Sequence, residues 1–224
     1  LPACVFFLAL SFITRPGRQH QALADYKGAG MKAFRALAND PLLLIHGFPQ
    51  TGAMWHTIAQ QLAEHFFVVI PDIRGYGRSS KPANTADNLP YSKRAMARDM
   101  IALMTHLGHD RFAIGAHDRG ARVGHRLAAD HPDRVIALAT LDIAPTREMY
   151  RDAGSAFAHT YWHWYWLTLP HPFPETLIAP DPAFFWLSKC GAGSAGLTPF
   201  VQQALDEYLT CFSDPAAIHG ACED

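Results

Sequence analysis

The sequence predicts an α/β fold built on a mainly parallel sheet, and three observations predict it. Apolar runs of five to seven residues alternate with helical patterns of ten to sixteen, the rhythm of strand–helix–strand crossovers. The intervening loops are rich in Gly, Ser and Pro. After Asp142 the texture changes to aromatic- and proline-rich helical pieces with no clear strand, as in a helical cap inserted over the end of a sheet.

The elements follow in order. Pro41 to Ile45 reads as a buried strand ended by the turn His46-Gly47. Thr51 is placed to cap a helix carrying Trp55, Ile58 and Leu62 at helical spacing. Phe66 to Ile70 is a second strand, and Asp72 to Lys81 a loop. Ser92 starts a helix with Met96, Met100, Leu103 and Leu107 on one side. Phe112 to Ala116 is a third strand, Gly120 to Asp130 a helix stopped near Pro132, and Val135 to Leu141 a fourth strand. The expected organisation is an unassigned segment over 1–40, an α/β core over 41–144 and a helical cap region over 145–224.

Composition narrows the function classes. With 224 residues, 49% hydrophobic and 17% charged, the chain can bury one medium core. Nineteen basic residues face twenty acidic ones without a basic run, which argues against a nucleic-acid partner. Cys4, Cys190, Cys211 and Cys222 have no paired short spacing, so neither a zinc knuckle nor a disulfide framework is expected, and a reducing cytoplasm is the plain reading. His159 and His163 are four apart but lack a carboxylate and a third ligand, so no metal and no cofactor are expected. Leu1 to Ile13 is apolar yet too short to span a bilayer, and no basic segment precedes it as in a signal peptide. The first residue is Leu, so the reading is either a missing start or residues outside the native frame.

The sharpest local feature is Ala116-His117-Asp118-Arg119-Gly120-Ala121, between a strand and a helix. A nucleophile on such a bend needs small residues two before and two after it, because the backbone there is strained and closely packed. Asp118 is the candidate nucleophile; helix capping is its bland alternative. The turn His46-Gly47-Phe48-Pro49 can aim the Phe48 N–H at the same point, forming an oxyanion hole with the Arg119 N–H. Asp142, ending the next strand, lies where an acid orients a histidine base. Arg119 and Arg122, three apart at a helix start, share a face, and a planar guanidinium fork suits a carboxylate better than a neutral substrate.

Taken with His46 to Gln50, the loop from Asp72 to Pro82, His117 to Arg122, Leu141 to Thr146 and Tyr161 to Tyr165, the chain resembles the fluoroacetate (haloacetate) dehalogenases of the α/β-hydrolase superfamily, from about residue 41 to its end. The resemblance implies that Arg119 and Arg122 grip the carboxylate of a short haloacid. Asp118 then expels halide through a covalent ester, and His163 and Trp164 cradle the halide together with a tyrosine, which is not placed because the match runs out near it. It also suggests a homodimer, with substrate and water as the small-molecule partners and no membrane. The base histidine, last in chain order in this fold, has no match here: His159, His163, His171 and His219 all fall in the cap-like region. The chain is therefore read as a fragment lacking the last core elements. Two alternatives stay open. One is an epoxide hydrolase with the same Asp118 and Tyr161 or Tyr165 as proton donor. The other is a non-catalytic scaffold that only binds a small acid.

Overall fold

The computed structural model describes residues 10–12, 40–193 and 195–224. Cys4 and most of the 1–40 segment lie outside the described residues.

Five strands form one sheet: β1 (Leu10–Phe12), β2 (Pro41–Ile45), β3 (Phe67–Pro71), β4 (Phe112–His117) and β5 (Val135–Leu141), in the order β1-β3-β2-β4-β5. β2, β3, β4 and β5 run parallel, as expected. β1 adds an antiparallel edge, with Leu10 opposite Pro71, which the sequence pattern did not reveal.

The side-chain alternation of β2 explains the layering. Leu43 and Ile45 face a core shared with Val69, Ile114 and Ala116, while Leu42 and Leu44 face a second core with Val68, Ile70 and Ala113. A strand covered on both faces reads as a continuous apolar run, which is why Pro41–Ile45 is buried throughout. The first core is closed by helices α2 (Lys93–His106) and α3 (Asp118–Asp130), through Met96, Met100 and Met104 of one and Val123 and Leu127 of the other. The second is closed by Trp55 and Ala59.

Two local expectations need correcting. The segment capped by Thr51 begins as a 3-10 turn, Gly52–Trp55, before helix α1 (His56–Leu62). Its Ile58 is 40% exposed, because the turn rotates the buried face onto Trp55 and Ala59. Helix α3 starts at Asp118 rather than at Gly120, so the nucleophile candidate is itself the first helical residue.

From residue 146 onward the described residues form seven helices and no strand: α4 (Thr146–Arg151), α5 (Ser155–Thr160), α6 (His163–Trp166), α7 (Phe173–Ile178), α8 (Pro182–Cys190), α9 (Gln202–Phe212) and α10 (Pro215–Glu223). They settle on the loops at the carboxyl ends of β2 and β3. Trp186, fully buried, donates its indole N–H to the Pro49 carbonyl at 2.9 Å, and the Phe48 ring meets Phe185 and Phe212 edge-on. No described helix is long and apolar enough to cross a membrane.

Candidate active site

The strand order reverses around β2: the chain leaves it toward β3 on one side, then crosses to β4 and β5 on the other. Loops leaving β2 and β4 therefore diverge, opening a crevice at their carboxyl ends where such sheets bind ligands. The candidate residues come from these two loops.

At the end of β4 the backbone turns so sharply that Asp118 takes φ +49°, a left-handed conformation that typically costs a non-glycine residue about 1–3 kcal/mol. Asp118 does not cap its helix; the cap position belongs to His117, with no side-chain cap bond. Instead, Asp118 Oδ1 accepts the backbone N–H of Phe48 at 2.9 Å. Two glycines permit this approach. A Cβ on Gly47 would lie 2.5 Å from Asp118 Cβ, and one on Gly120 would lie 2.1 Å from the His46 carbonyl oxygen. The Arg119 N–H, the other expected donor, sits in the first turn of α3, where backbone donors have no intrahelical acceptor.

His46 holds the first loop in place. Its Nε2 accepts the Ile73 N–H at 3.0 Å and its Nδ1 faces the Gly47 carbonyl at 3.1 Å, a pattern that suits a neutral ring protonated on Nδ1. Complete burial lowers its pKa, outweighing the raising influence of Asp72. Asp72 in turn accepts the N–H groups of Gly52 and Arg78 at 2.7 and 2.9 Å, so the loop after β3 is tied to the loop after β2.

The two arginines, expected to act together, have different surroundings. Arg119 Nη1 donates to the Ala221 carbonyl at 2.7 Å and the Tyr76 hydroxyl at 3.0 Å, and lies 3.3 Å from Asp224 Oδ2. Its guanidinium carbon is 4.5 Å from the centre of the Phe48 ring. Arg122 is stacked over Trp164, 4.1 Å from the ring centre, and its Nε and Nη2 are buried with no hydrogen-bond partner. Burial lowers the Arg122 pKa; Asp118 opposes this and Arg119 adds to it.

His163 and Trp164 are both buried beside the elbow loops. The imidazole stacks on Phe48 with ring centres 6.1 Å apart, and its Nδ1 is buried without a partner. Burial, helped by the nearby charges of Lys189 and Arg119, drives its pKa down to about 3 despite Asp118. The ring is therefore neutral at ordinary pH. Asp142, just past the end of β5, takes a left-handed conformation, φ +50°, and is exposed; among the described residues no histidine is hydrogen-bonded to it.

Several residues here were not singled out from the sequence. Tyr76 is buried, which pushes its phenol up to about 12 against the pull of Arg119. Asp224, its side chain fully buried, is shared by Tyr76 at 2.6 Å, Arg119 and Lys93. Tyr150 donates to the Trp164 carbonyl at 3.0 Å. Only their long-range partners give them away. Tyr161 and Tyr165 are both partly exposed and pack against Phe157.

Comparison with known proteins agrees with this architecture. Residues 40–190 match the family model described as alpha/beta hydrolase fold. Fluoroacetate dehalogenase of Burkholderia sp. is 50% identical over 185 residues, covering 82% of this chain and 60% of that protein. Soluble epoxide hydrolase of Corynebacterium sp. (strain C12) is 40% identical over 126 residues, 56% of this chain and 42% of that protein. The crystal structure of ALR0039 of Nostoc sp. PCC 7120, described as an α/β hydrolase, superposes with a TM-score of 0.79 at 52% identity, covering 83% of this chain and 64% of that one. The chain thus spans about three-fifths of the length of the dehalogenase it matches.

Proposed function

The chain belongs to the α/β-hydrolase fold family, and from that premise we propose that its site carries out nucleophilic displacement of halide from short haloacids, of which fluoroacetate is the type. The observation that carries the proposal is the guanidinium of Arg122, buried beside the nucleophile candidate with two nitrogens unpartnered. Buried guanidinium nitrogens without acceptors are costly, and a substrate carboxylate would supply both the charge and the acceptors. Arg119 contributes field more than hydrogen bonds, since its Nη1 already has three protein neighbours.

With the acid held there, Asp118 is the attacking group. Phe48 N–H engages Oδ1, which leaves Oδ2 to donate an electron pair to the halogen-bearing carbon. The C–O bond forms as the C–halogen bond breaks, and the halide leaves with the bonding pair. Neutral His163 with Trp164 offers N–H donors for the growing halide charge; donors placed at developing charge are worth roughly 3–4 kcal/mol each. Hydrolysis then requires water to add to the Asp118 carboxyl carbon. In that step Oδ1 becomes the oxyanion, already facing Phe48 N–H, with Arg119 N–H as second donor. The base for that water would be an imidazole oriented by Asp142. The residues placed around Asp118 supply the ester-forming step.

The test is halide release from fluoroacetate and chloroacetate, set against diol formation from styrene oxide. Halide with no diol supports the proposal; diol alone transfers Asp118 to epoxide opening. Mass spectrometry of the protein after fluoroacetate separates chemistry from mere binding. A carboxymethyl group on Asp118 supports the displacement, whereas reversible binding without an adduct leaves only an acid-binding scaffold.

A further inference from the structure

Away from the elbow, we propose that His171, Glu175, His219 and Glu223 form a binding site for one divalent first-row transition-metal ion that staples helices α7 and α10 together. Each side contributes a histidine and, four residues later, a glutamate: His171 and Glu175 at α7, His219 and Glu223 on α10. Glu175 Oε1 sits between the two imidazoles, 2.8 Å from His171 Nδ1 and 2.7 Å from His219 Nδ1. The three ligand atoms lie within 4.8 Å of one another, and Glu223 Oε1 is 3.8 Å from His219 Nδ1.

Two further observations point to a cation. Glu175 Oε2 is buried with no hydrogen-bond partner, so this carboxylate keeps lone pairs unused. His171, His219 and Glu223 also line a cavity of about 600 Å³, which gives an ion a way in and leaves room for a water ligand. Two imidazole nitrogens and two carboxylates suit zinc and its neighbours, and two carboxylates balance a dication. Ligands at about 2.0–2.2 Å from a tetrahedral ion stand roughly 3.3 Å apart. The two contacts of Glu175 Oε1 need open by only ~0.5 Å, while Glu223, 3.8 Å from His219 Nδ1, has to turn inward to join the three.

The decisive experiment titrates the chelator-stripped protein with Zn²⁺ and with Co²⁺. We expect one equivalent to bind, a visible d–d spectrum for Co²⁺, and a higher thermal midpoint with Zn²⁺. Glu175→Gln and His219→Ala should each weaken binding by more than ~10-fold, the lower bound for losing even an outer-shell partner, while His159→Ala, on another helix, should not. A readout on the unsubstituted protein guards against misfolded variants: Zn²⁺ should protect His171 and His219 from diethyl pyrocarbonate while leaving exposed His125 reactive. No saturable binding at one equivalent, or unchanged labelling of His171 and His219, overturns the site and reduces the cluster to hydrogen bonds between helices.

Discussion

Phe48 and Asp118, seventy residues apart in sequence, are joined by a 2.9 Å hydrogen bond from the backbone N–H of one to the carboxylate of the other. The bond makes two loops from neighbouring strands into one unit. One carboxylate oxygen is fixed, and in the proposed displacement the other attacks. The closeness rests on Gly120 and Gly47, whose missing side chains leave room for the opposing backbone and for Asp118 itself.

Gly120→Ala tests that closeness. The added methyl would start 2.1 Å from the His46 carbonyl oxygen and 2.7 Å from that of Ile45, and backbone cannot rotate away as a side chain can. Overpacking typically costs about 1–3 kcal/mol, and a clash with two carbonyls belongs at or above the top of that range. Urea unfolding should show a lowered midpoint; an unchanged midpoint would mean that the two loops do not touch.

Asp118→Asn keeps the shape and removes the negative charge of the proposed attacking group. Halide release from haloacetates should fall by at least ~10³-fold, as for the loss of other nucleophiles that act as part of a unit. The protein-bound carboxymethyl group should vanish with it. Retention of an adduct elsewhere in the chain would remove Asp118 from the role of nucleophile.

Arg122→Met separates function from stability. A charged hydrogen bond is worth about 1.5–3 kcal/mol, so the fluoroacetate KM should rise ~10- to 100-fold. Stability should move the other way. The contact with Trp164 is worth about 2 kcal/mol when desolvated, and it is set against the cost of a half-buried cation with two unpartnered nitrogens. The thermal midpoint is expected to rise while activity is lost. A fall in the midpoint with KM unchanged would make Arg122 a packing residue.

The contrast between what sequence patterns reveal and what they hide is physical. Val135–Leu141 was legible to the residue because six of its seven residues are apolar, Thr140 excepted. The bend at Asp118 was legible because Ala116 and Gly120 sit where a crowded backbone demands small residues. β1 was not, since three residues become a strand only through their partner Pro71 and its neighbours. Nor was the engagement of Arg119 by Asp224, 105 residues away. Spacing alone also misdirects: His159 and His163 are four apart, yet one is exposed and the other buried against Phe48. The four-residue pairs that do converge, at α7 and α10, depend on which helices pack together.

His163 offers a test through pH. Its folded pKa of about 3 lies below the ordinary 6.5, because burial and the charges of Lys189 and Arg119 disfavour the cation. A group depressed in the fold contributes its full share of stability above the unfolded pKa and loses it as pH falls toward the folded one. Between pH 6.5 and 3 the unfolded chain binds the proton and the folded one does not, so stability falls by up to ~1.4 kcal/mol per unit from this residue. His46, lowered by burial, acts in the same direction. His163→Gln keeps a polar side chain without a titration, so its urea midpoint should decline less steeply between pH 6.5 and 4 than that of the parent protein. Parallel curves for the two proteins would mean that His163 is protonated alike in the folded and unfolded chain. That would contradict a neutral imidazole packed on Phe48, and with it the N–H donor proposed to meet the departing halide.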